Sequence, residues 1–300
     1  MCASTFVMAD STNLISVADT TLIELNPDNN NGGMTFFNCG TTQNYTRNRG
    51  LLKFDVAGSI PPHSQITSAY LTLSVIHSSS GGLAIPYFDL HRVLRDWGEG
   101  TNTYSTLTGM GQGTPATIGE ATWNDCFALT TNHWNAPGGA ASVDYSPIIT
   151  ASQIIYTEVQ SPYFFSNSPP DAPQLVGDVQ LWLDHPETNF GWILICDDES
   201  VAFTAHRISS REGDPFMAPT LVIEYTPPPH IDGVDQIGNK FNLHFTAQAG
   251  SSYTVEFTDA LSLSSAWQTL TNIPSASADT NLVISDMITN RQRFYRLGRQ

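Results

Sequence analysis

The chain is dominated by short runs of β-branched and aromatic residues, set off by clusters of Gly, Pro, Asn and Ser. TTLIEL (20–25), LLKFDV (51–56), AYLTLSVI (69–76), YFDLHRVL (87–94), WILIC (192–196) and TLVIEY (220–225) all read this way. Such runs fit a pleated, packed surface and predict strands. In RGLLKFDV, alternation puts Leu52, Phe54 and Val56 on one face and Arg49, Leu51, Lys53 and Asp55 on the other. That pattern predicts a half-buried antiparallel strand whose polar face is open to solvent or a ligand. One helix is expected in DAPQLVGDVQLWLDHP (171–186). Asp171 would cap it, Pro173 would lie in its first turn, and Pro186 would follow its end. Leu175, Val179, Trp182 and Leu183 fall on one stripe. The expected fold class is all-β with one short helix.

The organisation is written in a proline run. YTPPPHIDG places Pro227, Pro228 and Pro229 after the last long strand, and three prolines stiffen a linker. Beyond it, FNLHFTA, SYTVEFTD, WQTLT, NLVIS and RFYRL crowd at least five short strands into residues 230–300. That density predicts a small immunoglobulin-like sandwich. Residues 18–226 form the larger domain and residues 1–17 an N-terminal segment. MCASTFVMA reads either as the tail of a signal peptide or as an ordinary N-terminus.

Charge narrows the function. The 300 residues carry a formal charge of −16, of which residues 230–300 hold −1 and the remainder −15. Such acidity argues against nucleic acid, which needs a basic face. Lysine occurs only at Lys53 and Lys240, so the polar surface is built from Ser, Thr, Asn and Gln, as in many extracellular β proteins. No apolar run has transmembrane length. Cys2, Cys39, Cys126 and Cys196 lack ligand-like spacing, although Cys39 with Cys126 or Cys196 would suit one disulfide.

RDWGEG (95–100) and GEATWND (119–125) pair tryptophan with carboxylates and glycines. Asp96, Glu99, Glu120 and Asp125 are candidate acid and base groups, since glycosidases use two carboxylates at a set separation. The favoured alternative is structural: Trp97 and Trp123 pack in the core while the acids accept backbone N–H bonds in tight turns. No metalloprotease, serine-hydrolase or P-loop motif occurs.

Five segments, in order, carry a resemblance: RNRGLLKFDVAGSIPPHSQITSAYLTLSV, LHRVLRDWGEGT, PATIGEATWND, VGDVQLWLDHPETNFGWILI and AHRISSREG…PTLVIEYT. Over residues 18–226 the chain resembles secreted bacterial DNRLRE-domain proteins. The resemblance implies a jelly-roll β-sandwich similar to carbohydrate-binding modules, one branch of which binds alginate-type polysaccharide. It also implies that Trp97, Glu99 and Trp123 are structural signatures without a catalytic role. Many jelly-roll sugar-binding modules carry a structural calcium, for which Asp28 (in NPDNNNGG), Asp197 and Asp198 are candidate ligands. NPDNNNGG has a single carboxylate, and an Asn/Gly-rich turn is its favoured reading.

An acidic domain needs a local basic patch to hold a polyanion such as alginate or pectate. Arg47, Arg49 and Lys53 on one strand, with Arg207 and Arg211, would form one if their segments are sheet neighbours; pairing of each with a structural carboxylate is the favoured alternative. Trp134 in TNHWNAPGG, and Tyr163, Phe164 and Phe165, are candidate exposed aromatics, with a loop anchor the favoured alternative for Trp134; Trp97, Trp123, Trp182 and Trp192 are expected in the core. The expected function is non-catalytic binding of an extracellular polysaccharide by a secreted or cell-surface protein. The alternative is a self-associating structural subunit of a surface layer, filament or appendage. A polysaccharide-degrading enzyme is the third reading, disfavoured by the missing catalytic frame.

Overall fold

The computed structural model describes residues 9–79, 86–104, 111–156, 158–166, 174–262, 266–287 and 292–299. Among them the chain is almost wholly β, with one α-helix and two three-residue 3-10 turns. It divides into two compact units. The larger comprises Ser11–Pro62 and Ile66–Glu224, and the smaller is built on Tyr225–Gln300.

In the larger unit, an eight-stranded sheet runs Tyr145–Ile154, Tyr87–Val93, Trp192–Cys196, Arg47–Lys53, Phe36–Thr41, His206–Ser209 and Val75–Ser78. Ala18–Ile23 is its eighth strand, paired with Arg47–Lys53. A four-stranded sheet orders Asp10–Ile15, Thr220–Thr226, Gln65–Leu73 and Tyr163–Ser166. Leu71, Phe165, Leu221 and Ile223 of the second sheet are fully buried, as are Leu52, Trp192 and Leu194 of the first, giving a β-sandwich.

The helix Gln174–Asp184 buries the expected stripe of Leu175, Val179, Trp182 and Leu183. Asp171 and Pro173 lie outside the described residues. Trp182 packs on Trp192 with ring centroids 4.5 Å apart, and Trp192 packs on Phe54 at 6.0 Å. Buried Asp178 ties the helix to the sheet by accepting from Thr150 Oγ1 (2.7 Å), Trp192 Nε1 (3.0 Å) and Arg92 Nε (2.9 Å). A buried carboxylate costs little only when its lone pairs are matched in this way.

The Arg47–Lys53 strand differs from the sequence expectation. Its supposedly open face is covered. Trp97, Trp123 and Trp134, from the excursion between Val93 and Tyr145, pack with Leu22, Leu51, Ile193 and Ile195 into a second apolar cluster. The sheet is therefore buried on both faces here, which explains the unbroken apolar run WILIC, all five residues of which are buried. Alternation in RGLLKFDV marks two cores of different polarity, not a core and a solvent face.

The smaller unit holds two three-stranded antiparallel sheets. One orders Gly233–Ile237, Lys240–Ala247 and Thr280–Met287; the other orders Gln268–Ile273, Tyr253–Thr258 and Phe294–Arg299. Leu243, Phe245, Ala247, Tyr253 and Val255 form its core. Cys39, Cys126 and Cys196 are buried free thiols, so the disulfide considered between Cys39 and either partner is not formed. Burial pushes the Cys126 and Cys196 thiols up to about 12 and about 11. Cys2 lies outside the described residues.

Candidate functional site

Of the cations expected to form a binding strip, Arg47, Arg49 and Lys53 are matched to acids. Arg47 pairs with Glu24. Arg49 is buried; its Nε and Nη2 donate to Glu199 (2.8 and 2.6 Å), and its Nη1 donates to the Gly138 carbonyl (2.8 Å). Both guanidinium groups lie over the Trp123 ring, 5.1 and 5.5 Å from its centroid. Lys53 lies 3.6 Å from Asp96. The favoured alternative, pairing with structural carboxylates, describes Arg47, Arg49 and Lys53, and the Trp97–Trp123–Trp134 cover lies on this face. Trp134 takes the loop-anchor alternative. It is 6% exposed and donates its Nε1–H to the Thr122 carbonyl (2.9 Å), an anchor of the cover in place of an exposed platform. Of the YFF run, Tyr163 and Phe165 are buried and Phe164 is exposed.

The carboxylates of RDWGEG and GEATWND form seams. Glu99 accepts from the Asp19 amide (2.7 Å) and from Arg211 Nε and Nη2 (2.7 and 2.6 Å). Asp19 Oδ2 in turn accepts from the Arg211 amide and Ser16 Oγ, both at 3.0 Å. Arg211 Nη2 also reaches Glu212 at 2.9 Å, so one guanidinium supplies the charge on which Asp19, Glu99 and Glu212 converge. Burial raises the Asp19 carboxyl to about 7. Buried Glu120 accepts from the Thr101 and Thr117 amides (3.0 and 2.7 Å) and from Asn102 Nδ2 (2.6 Å). Asp125 pairs with His133. The calcium candidates are engaged locally: Asp28 accepts from Asn124 Nδ2 (2.8 Å), Asp197 from the Asp198 amide (2.9 Å) and Asp198 from Ser200.

A different part of the large sheet is open. A basin of about 280 Å³ is lined by Asn38, Gln43, Asn48, His77, Gln112 and Arg207, among others, and among the described residues no Asp or Glu lines it. Sheet register builds its floor: Arg207 is paired with Asn38 on one side and His77 on the other, so three polar side chains form a row across three strands. The Arg207 guanidinium lies 4.6 Å from the Phe36 ring centroid, and burial lowers its pKa. Beside that row, His206 is buried, with Nε2 3.2 Å from the Ile155 carbonyl and its ring stacked on Phe88. Desolvation lowers its pKa to about 4, so it stays neutral.

The basin's rim is the hairpin Thr42–Thr46. The Thr42 amide donates to the Thr46 carbonyl (2.9 Å), and the Tyr45 amide donates to the Thr42 carbonyl (3.1 Å). The two threonine hydroxyls bond each other at 2.7 Å. Between the lining residues Asn44 and Thr46 sits Tyr45, 70% exposed and held at φ 60°. Left-handed backbone is unfavourable for a residue with a Cβ. The hairpin therefore fixes, at some strain, an exposed aromatic side chain on the basin's rim, between two residues that line the basin. An apolar ring beside planar donors and acceptors is suited to sugar rings, which have apolar faces and hydroxyl edges.

Of the sequence-derived candidates, only Arg207 lies in this basin. Tyr45, Asn38, Asn48, Gln43 and His77 escaped the sequence reading. One signal for Tyr45 was available: QNYTRN places an aromatic in a wholly polar turn, where burial is not expected. No protein-family model matches the chain, and no curated protein matches it.

Proposed function

We propose that the protein binds an extracellular polysaccharide in the basin between Tyr45 and Arg207, without cleaving it. The observation that carries this reading is the lining: in a chain of charge −16, the described residues of the basin present amides, hydroxyls, imidazole and guanidinium and no carboxylate. Tyr45 supplies the stacking surface. Asn38, Asn48 and Gln43 supply paired donors and acceptors for hydroxyls. Arg207 and His77 suit the carboxylate of an acidic glycan such as alginate or pectate. Secretion or a cell-surface location accords with this ligand class and with the resemblance to DNRLRE-domain proteins. The carboxylates that would do hydrolytic work are engaged in seams, which favours binding over turnover.

Affinity electrophoresis of the full chain in gels containing alginate, pectate or a neutral glucan tests this. Wild type should be retarded in at least one gel, while Arg207→Ala and His77→Ala run freely with unchanged melting. Unretarded wild type in every gel, or variants retarded like wild type, would refute the basin. Release of reducing ends from the retarding glycan would establish an enzyme.

One observation favours the structural-subunit reading. On the outer face of the Gly233–Ile237, Lys240–Ala247, Thr280–Met287 sheet, Ile237 and Met287 are exposed in one row on either side of Lys240, and exposed Val283 lies on the same face beyond the row of Asp235, Asn242 and Ser285. Apolar groups grouped in this way mark contact surfaces. Concentration-dependent growth in size-exclusion chromatography, reversed by Ile237→Asp, would support that role.

A further inference from the structure

The other sheet of the smaller unit carries a second arrangement suited to saccharide, on residues unrelated to the basin. Register fixes its outer face. Glu256 on the central strand is paired with Arg296 on one side and Thr269 on the other. The next row of that face is Gly298, Thr254 and Asn272. The Thr254 hydroxyl bonds Asn272 Oδ1 at 3.0 Å. Trp267, two residues before Thr269, has the Arg296 guanidinium over its ring, 4.4 Å from the centroid.

Arg296 is the informative residue. Its Nε donates to Glu256 Oε2 (2.6 Å), and the indole holds its plane, yet the side chain is 52% exposed. A guanidinium has five N–H donors. The Nε bond is the one side-chain hydrogen bond that Arg296 makes among the described residues, so its terminal amino groups stand as donors on a plane held by Glu256 and Trp267. Immobilised donors lose little entropy on binding. Glu256 neutralises the charge and adds an acceptor, so the pair suits hydroxyl groups better than a second carboxylate. Gly298 leaves the face clear, because a Cβ there would meet nothing within 4 Å. Aromatic edge, fixed donors, a neighbouring acceptor, an amide–hydroxyl pair and a notch are the components of a shallow sugar platform.

We propose that the face formed by Trp267, Arg296, Glu256, Thr254, Asn272 and Gly298 is a second binding site, for a neutral saccharide. It does not rest on the basin. The test uses the full chain carrying Arg207→Ala, which disables the basin, titrated with cellohexaose, xylohexaose and, as an acidic control, hexagalacturonate. A neutral hexaose should bind and shift the Trp267 indole N–H resonance. Adding Gly298→Val, which fills the notch at an ordinary backbone conformation, should weaken binding at least tenfold with unchanged melting, and Trp267→Ala should do the same. Three results would overturn the proposal: no binding of either neutral hexaose, preference for hexagalacturonate, or wild-type affinity in Gly298→Val. Because Arg207 is absent throughout, these outcomes are independent of the basin.

Discussion

At the scale of single residues, Asp19 and His206 pull stability in opposite directions with pH. The Asp19 carboxyl is raised to about 7, chiefly by burial, so folding favours its protonated form. Between the unfolded value near 4 and the folded value, the native state binds more protons, and stability falls as pH rises. That contribution is fully present below about 4 and lost by about 7 to 8. His206 is lowered to about 4 by desolvation, so its contribution is present above about 6.5 and lost as pH falls towards 4. A wild-type melting curve mixes the two, and Asp19→Asn separates them. The wild-type melting temperature minus that of Asp19→Asn should decrease steadily from pH 4.5 to 8. A difference that stays constant or grows with pH would contradict the burial account. Glu99 gives a second prediction. It accepts from the Asp19 amide and twice from Arg211, so Glu99→Gln should cost about 1–3 kcal/mol, the scale for damaging charge-assisted hydrogen bonds. Glycan affinity of the folded fraction should not change. Unchanged melting with lost binding would move Glu99 from a seam to a site.

At the scale of elements, the excursion from Val93 to Tyr145 shows why sequence periodicity misled. Alternation in RGLLKFDV correctly separates Leu52 and Phe54 from Arg49 and Lys53. It carries no information on what covers the second face, because the cover is Trp97, Trp123 and Trp134 and the partner of Arg49 is Glu199, 150 positions away. Trp134, in the loop-like TNHWNAPGG, reads by sequence as a loop anchor or a platform, and only the fold decides: its indole N–H finds the Thr122 carbonyl. The helix stripe and the buried Trp97, Trp123, Trp182 and Trp192 were legible, since local spacing and residue size determine them. Tyr45 was half legible: its exposure follows from its polar neighbours, while the basin beside it needs three strands brought together. The cover makes a third prediction. Trp134→Ala removes a buried indole from a packed cluster and should cost about 3–5 kcal/mol while the folded fraction binds glycan as before. Gly138→Ala should also destabilise. Gly138 has φ +82°, and a Cβ there would lie 2.6 Å from the Trp123 ring, next to the carbonyl that accepts from Arg49.

At the scale of the whole molecule, charge and chain organisation go together. The smaller unit is nearly neutral and the larger strongly acidic. Limited proteolysis should cut near Pro227–Asp232 and leave two folded fragments, because proline-rich boundaries are stiff, extended and poor in contacts. A single resistant core spanning residue 230, melting in one transition, would contradict two independently folding units. If the basin holds an acidic glycan through Arg207, affinity should fall as salt rises from about 0.05 to 0.5 M, whereas a neutral glycan would show no such slope. The central claim is that the exposed Tyr45 ring, on the rim next to the lining residues Asn44 and Thr46, takes part in binding at the basin. Titration calorimetry of wild type and Tyr45→Gly with the polysaccharide that retards wild type, run beside chemical denaturation, tests it directly. Glycine relieves the positive φ, offsetting its greater unfolded-state entropy, so stability should hold to within about 1 kcal/mol. The account predicts an affinity at least tenfold weaker in Tyr45→Gly; wild-type affinity in the variant would contradict it.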